Sequence, residues 1–140
     1  MSVRVLIADD HALVRRGLRA LLESQPDWEV CGEASSGQEA VEMTKVMLPS
    51  VVLMDISMPV LNGLEATRQI REAVPGTEVL ILTMHESREM IWAARQAGAR
   101  GYVVKSGSEG HLIEAMRSVC RHQPYFPGER ADLFEGDRSP

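Results

Sequence analysis

The chain has 140 residues, one ordinary domain's length, which excludes a multidomain enzyme within this span. Hydrophobic residues at 44% and charged residues at 25% are near the globular average, so neither a disordered nor a fibrous chain fits. Fifteen Lys plus Arg against twenty Asp plus Glu leave a net charge of -5, which argues against binding a phosphate backbone through a basic face.

A short apolar, β-branched run predicts the first strand at Val3–Ala8. From His11 to Ser24 the residues Leu13, Val14, Gly17, Leu18, Leu21 and Leu22 recur at helical spacing, one face to be laid on a sheet. Glu29–Ala34 reads as the second strand; a helix from Gln38 to Leu48 follows, carrying Val41, Thr44 and Leu48 and stopped by Pro49. The third strand is expected at Val51–Met54, with a helix from Leu64 to Ala73 ended by Pro75-Gly76. Val79–Thr83 is the fourth strand. Ser87 is placed to cap a helix that runs to Ala97 and closes at Gly98. Gly101–Val104 is the fifth strand, and Ser108 is placed to cap a last helix through Cys120. Strands apolar on both faces and alternating with helices imply a doubly wound α/β fold, a parallel sheet covered on both sides by right-handed crossovers. From Tyr125 the text turns to Pro, Gly and charge without periodicity, so residues 1–122 are expected to form the domain and 123–140 a linker or tail.

Cys31 and Cys120 lack zinc-site spacing and read as reduced thiols, and the eight Met residues read as core filler. The N-terminal apolar run is too short for a signal peptide, and no stretch approaches the ~18 apolar residues of a membrane span. A cytoplasmic protein without a membrane partner is the expectation.

In an open parallel sheet, ligands bind beyond the carboxyl ends of the strands, where the strand order reverses. There stand Asp9-Asp10 after the first strand, Asp55 after the third, Thr83 ending the fourth and Lys105 after the fifth. Crowded carboxylates either raise a pKa or demand a cation, and a hard divalent ion such as Mg²⁺ answers the second need. An ammonium and a hydroxyl suit a phosphoryl group, so an Asp nucleophile forming an acyl phosphate uses all five residues. Each residue alone has a plainer role: Asp10 as a helix cap, Thr83 as an ordinary strand residue, Lys105 as a surface charge. Joint placement on one sheet edge outweighs these.

At these residues the sequence resembles the receiver domain of bacterial two-component response regulators, the CheY-like, flavodoxin-like fold with strand order 2-1-3-4-5. VLIADDH, VVLMDISMPVLNGLE, VLILTMH and ARGYVVKS carry the resemblance over about residues 3 to 122, and the run Asp55 to Gly63, DISMPVLNG, is its most specific part. The resemblance implies that Asp55 accepts a phosphoryl group from a phosphohistidine on a sensor histidine kinase. It implies Mg²⁺ held by Asp10, Asp9, Asp55 and the backbone carbonyl of Ser57. Thr83 and Lys105 would contact the phosphoryl oxygens, and Tyr102 would be the aromatic switch that follows Thr83. Such a domain is a switch that catalyses only its own phosphorylation and dephosphorylation. Pro59 and Asn62-Gly63 form a tight loop that shapes the pocket beside Asp55.

Two positions depart from the family pattern. Ser106 follows Lys105 where many receivers have Pro, which disfavours a cis peptide there by ~3 kcal/mol. Met84 is larger than the usual Ala or Gly and is expected to screen the phosphoryl group and slow its loss.

ADDHALVRRGLRALL, GEASSGQEA, LTMH and ARGYVVKS resemble the NarL/FixJ type, whose members carry a C-terminal LuxR-type helix-turn-helix. Nothing after Tyr125 shows two helical periods and a basic recognition segment, so these residues are expected to be the receiver portion of a longer transcription regulator or a single-domain regulator acting by protein contacts. Nucleic acid is not expected to bind this domain itself, whereas a phosphorylation-dependent homodimer is among the implied partners. His11 and His85 read as pocket-edge residues rather than ligands. Arg15, Arg16 and Arg19 read as a solvated face first and a docking face second, and Leu112, Ile113 and Met116 as core. An aspartate-nucleophile phosphatase is disfavoured because Ser57 stands where those enzymes carry a second Asp as proton donor. A flavodoxin-like cofactor binder is disfavoured because Asp9-Asp10-His11 replaces a Gly or Ser/Thr-rich phosphate loop.

Overall fold

The computed structural model describes residues 2–84, 86–105 and 109–127. Five strands alternate with five helices: β1 (Val3–Ala8), α1 (Ala12–Glu23), β2 (Trp28–Ala34), α2 (Gly37–Met47), β3 (Val51–Met54), α3 (Gly63–Ala73), β4 (Glu78–Thr83), α4 (Arg88–Ala97), β5 (Gly101–Val104) and α5 (Glu109–Cys120). All neighbouring strands are parallel, in the order β2-β1-β3-β4-β5. The chain winds outward from β1 to β2, then returns to place β3 on the other side of β1. This reversal opens a crevice at the carboxyl ends of β1 and β3.

Side chains alternate across each strand, and the alternation sorts the core into two layers. Leu6, Val52, Met54, Val79, Ile81 and Tyr102 face α2, α3 and α4 through Ala40, Val41, Ala66, Ile70 and Ala94. Val5, Ile7, Val51, Leu53, Leu80 and Val103 face α1 and α5 through Leu22, Leu112, Ala115, Met116 and Val119. Leu112 and Met116 are thus core, as their spacing predicts, whereas Ile113, one residue round the helix from Leu112, is only half-buried and lies outside this layer. Ser36, Asn62 and Ser87 cap α2, α3 and α4 through side-chain oxygens, and Gly98 closes α4 at φ 103°. The Ser108 cap lies outside the described residues.

Four differences from the expected picture have physical reasons. The α1 stripe is only partly covered: Leu22 is fully buried but Leu13 is 75% exposed. Its upper half lines a groove of about 370 Å³ with Leu82, Met84, Val103, Lys105 and Leu112. Arg15 and Arg19 are not a merely solvated face, because their guanidinium Nε atoms donate to the two oxygens of Glu33 on β2, at 2.9 and 2.8 Å. Only Arg16 of the three is fully turned to solvent. Tyr125 and Phe126, read as tail, pack on the sheet: the Tyr125 carbonyl accepts from the Tyr102 amide at 2.8 Å, and the Tyr125 amide donates to the Arg100 carbonyl at 3.1 Å. Phe126 joins the layer that holds Tyr102, with the Arg95 guanidinium over its ring.

The fourth difference is at the start of β4, where Glu78 belongs to the strand although it is charged. Its side chain is 3% exposed and is met by Arg71 at 3.2 Å, Arg100 at 3.1 Å and His122 at 2.5 Å. Burial alone would push its carboxyl up, yet the hydrogen bonds from Arg100 and His122 and the charges of Arg71 and Arg100 together hold it below its ordinary value. A carboxyl lowered on folding adds stability above its unfolded pKa of ~4.3, and that stability is lost as pH falls through the folded value. Glu78→Gln is therefore expected to lower the unfolding free energy at pH 7 by about 2 kcal/mol. Urea titrations should show the gap between variant and parent closing as the pH drops below ~4. A gap independent of pH would contradict the assignment.

Candidate functional site

Sheet register brings the polar residues together. Ala8 pairs with Met54, and the Asp55 amide donates to the Ala8 carbonyl at 2.9 Å, so the residues that follow β1 and β3 leave the sheet side by side. Thr83 pairs with Val104, and the Lys105 amide donates to the Thr83 carbonyl at 2.5 Å. Both pairs stand at the same sheet edge. Asp9, Asp55 and Thr83 are 1%, 5% and 2% exposed, so carboxylates and hydroxyl alike are sunk beneath the rim.

Lys105 spans the site. Its Nζ lies 2.8 Å from Asp9 Oδ2 and 3.6 Å from Asp55 Oδ1. Burial drives the Asp55 carboxyl up from its ordinary value; the Lys105 charge and the Ser57 amide oppose that rise, and the charges of Asp9 and Asp10 add to it. Asp10 is less deeply set, at 31% side-chain exposure. His11 Nδ1 lies 3.1 Å from Asp9 Oδ1 and 3.0 Å from Asp10 Oδ1. Asp9, Asp10, His11 and Asp55 each offer a ligand atom, all within 4.8 Å of one another.

Asp10 is not the helix cap that its position allows. His11 occupies the N-cap of α1 without a side-chain cap bond, while Asp9 Oδ1 accepts from the His11 amide at 2.9 Å. Tyr102 is fully buried, turned inward against α4. Its phenol is pushed up by burial and the Glu86 charge, with the Ser87 backbone opposing.

The loop after Asp55 is built by two local devices. Asn62 Oδ1 accepts from the amides of Leu64 and Glu65, starting α3 directly beside the site. Gly63 is required there, since a Cβ would come within 2.1 Å of the Asp55 carbonyl oxygen. Between them and Pro59, Val60 takes φ 70° and the Leu61 amide donates back to the Pro59 carbonyl at 2.7 Å. A β-branched residue in that region is strained, a feature Pro59 and Asn62 do not signal.

The structure thus gathers Asp9, Asp10, Asp55, Thr83 and Lys105 at one edge, places Ser57 exposed in the adjoining loop and Tyr102 beneath it. His11 is a cluster member that sequence reasoning set aside: its adjacency to two acids is not a helical ligand spacing, and only the turn made by Asp9 brings its ring in. His85 and the Lys105-Ser106 bond lie outside the described residues. Met84, 60% exposed, lines the α1 groove beside Lys105.

Residues 5–117 match the family profile of the response regulator receiver domain. The chain belongs to that family. Receiver relatives agree: transcriptional regulatory protein MctR of Rhizobium johnstonii is 40% identical over 137 residues, which are 98% of this chain and 64% of MctR. Response regulator UvrY of Escherichia coli is 40% identical over 129 residues, 92% of this chain and 59% of UvrY. A LuxR-family two-component response regulator from Aurantimonas superposes with a TM-score of 0.90 at 33% identity, covering 100% of both chains. The receiver domain of a NarL regulator from Mycobacterium tuberculosis superposes with a TM-score of 0.83 at 31% identity, covering 87% of this chain and 98% of that one. This receiver spans 64%, 57% and 58% of the length of three curated relatives that it matches. No described helix is long and apolar enough to cross a membrane.

Val60→Gly should relieve the loop strain and raise the unfolding free energy by about 0.5 to 1 kcal/mol in urea denaturation. A decrease would show that the loop holds Val60 without strain.

Proposed function

We propose that this receiver accepts a phosphoryl group on Asp55 from the phosphohistidine of a sensor histidine kinase and thereby controls an output, transcription in the first instance. The observation that carries the reading is the triangle of Asp9, Asp55 and Lys105, a buried nucleophile with an ammonium 3.6 Å away, at the switch point of the sheet. An Asp55 oxygen attacks phosphorus, the bond to the histidine nitrogen breaks, and the imidazole leaves with the electron pair. Lys105 then has phosphoryl oxygens to bind in place of a bare carboxylate, and Thr83, at the end of the neighbouring strand, supplies a hydroxyl.

The carboxylate oxygens of the cluster suit Mg²⁺, Asp10 being the one most open to water, and Asp10, Asp9, Asp55 and the Ser57 carbonyl are the residues that would hold it. Such an ion neutralises charge on the phosphoryl oxygens. Tyr102, inward beneath Thr83's end of the sheet, is the residue proposed to follow Thr83 as it is drawn to the phosphate, changing the α4 surface. The relatives' names support transcription as output, and the 64% of MctR that this chain spans supports a longer parent protein. A LuxR-type DNA-binding domain and work in the cytoplasm are parts of the same proposal. Phosphorylation-dependent pairing of two receivers is part of the same proposal.

Mass spectrometry after acetyl phosphate and Mg²⁺ treatment should show one phosphoryl adduct in the parent and none in Asp55→Asn. Phosphorylation of Asp55→Asn at the parent level would sink the assignment. Lys105→Ala should still take the adduct, but slowly, with a rate loss of about 10²-fold or more in the same assay.

A further inference from the structure

We propose that Arg15 is a positioning residue for phosphoryl transfer: with Glu33 it clamps the peptide between Asp9 and Asp10 and so fixes how these two carboxylates stand beside Asp55. The inference rests on the reading of Asp55 as the phosphoacceptor and adds to it what holds the neighbouring acids in place.

Asp10 belongs neither to β1, which ends at Ala8, nor to α1, which starts at Ala12, so no ladder or helix sets its direction. Its neighbour Asp9 is held at every polar atom. The Asp9 amide donates to the Ala34 carbonyl at 3.0 Å, Oδ1 accepts from the His11 amide at 2.9 Å, and Oδ2 accepts from Lys105 Nζ at 2.8 Å. The fourth atom, the main-chain carbonyl oxygen, accepts from Arg15 Nη1 at 2.7 Å. That carbonyl shares one rigid plane with the Asp10 amide, so holding it fixes where Asp10 leaves the backbone.

Arg15 is itself aimed from the sheet. Its Nε donates to Glu33 Oε1 at 2.9 Å, and its side chain is 18% exposed. Glu33 pairs with Ile7 across β1 and β2, next to the pairing of Ala8 with Ala34, whose carbonyl holds the Asp9 amide. β2 therefore grips Asp9 twice, at its amide directly and at its carbonyl through Glu33 and Arg15. Attachment of α1 to β2 does not require the bond to Asp9, because Arg19 Nε also donates to Glu33, at Oε2 and 2.8 Å. The two cations near Asp9 thus have different tasks. Lys105 faces carboxylates and neutralises them, whereas Arg15 turns its charge to Glu33 and its spare N–H to a main-chain oxygen. The planar fork of a guanidinium serves two acceptors at a fixed spacing, which the single ammonium of a Lys does not.

The test compares the parent with Arg15→Met, Arg15→Lys and Arg19→Ala. In nitrogen-labelled, metal-free protein the Asp10 and His11 amide resonances report the turn, and acetyl phosphate labelling of Asp55 at one fixed Mg²⁺ concentration reports the reaction. Both Arg15 variants should move the two amides and slow labelling by about tenfold. Lys fails to rescue because it keeps the charge and loses the fork. Arg19→Ala should leave the two amides in place and labelling within about twofold of the parent. Parent-like amides and labelling in Arg15→Lys would overturn the proposal, leaving Arg15 a nearby charge. An equal effect of Arg19→Ala would overturn it too, since any loosening of α1 on β2 would then suffice. Absence of an Asp55 adduct in the parent would remove the phosphoacceptor reading itself, and the inference with it.

Discussion

One half-buried ammonium shared between two buried carboxylates governs the rest of this molecule. Asp9 and Asp55 sit almost wholly out of water on adjacent strand ends, and Lys105, at 2.8 and 3.6 Å, brings them the opposite charge that burial calls for. The sheet supplies the distances: β1 and β3 are hydrogen-bonded neighbours, and β5 delivers Lys105 from two strands away, across β4. Charges held at this cost are poised for exchange. On the proposed function, a phosphoryl group on Asp55 offers Lys105 further oxygens to bind.

What lies beneath Lys105 connects this exchange to a surface. Thr83 and Lys105 share a main-chain hydrogen bond, and Tyr102 is in the strand that leads into Lys105. The Tyr102 ring belongs to the layer of Ala94 and Ala99, on and just after α4, so α4 rests partly on that ring. Beyond β5, Tyr125 pairs with Gly101 and Phe126 enters the same layer under Arg95. The chain after α5 is therefore joined to the strand carrying Tyr102 by two backbone hydrogen bonds and one buried ring. At the opposite end of the sheet, Glu78 anchors α3, the turn before β5 and the His122 turn, so that end stays fixed.

Much of this was legible in the sequence because it depends on patterns of one element at a time. The apolar runs of Val51–Met54 and Gly101–Val104, bounded by turn residues, match their strands residue for residue. The site residues were legible because each stands at the end of such a run. Properties that need two elements were not. Glu78 opens β4, but hydrophobicity alone excludes a carboxylate whose cations arrive from α3, the β4–β5 side and the end of α5. Arg15 and Arg19 look solvated until α1 is laid beside Glu33. Leu13 looks buried until α1 and α5 are seen to leave a groove between them. His11 and Val60 depend on a backbone turn, which residue type indicates weakly.

The claim at the centre is that Lys105 changes partners when Asp55 is modified, and that β5 carries the change to Tyr102. Amide spectra of the nitrogen-labelled chain, recorded by nuclear magnetic resonance with Mg²⁺ before and after addition of beryllofluoride, measure this directly. The account predicts that the amides of Asp9, Thr83, Tyr102 and Lys105 shift together, with Tyr125 moving in their train and Glu78 unmoved. Shifts confined to the Asp55 loop, with Lys105 and Tyr102 unchanged, would contradict it.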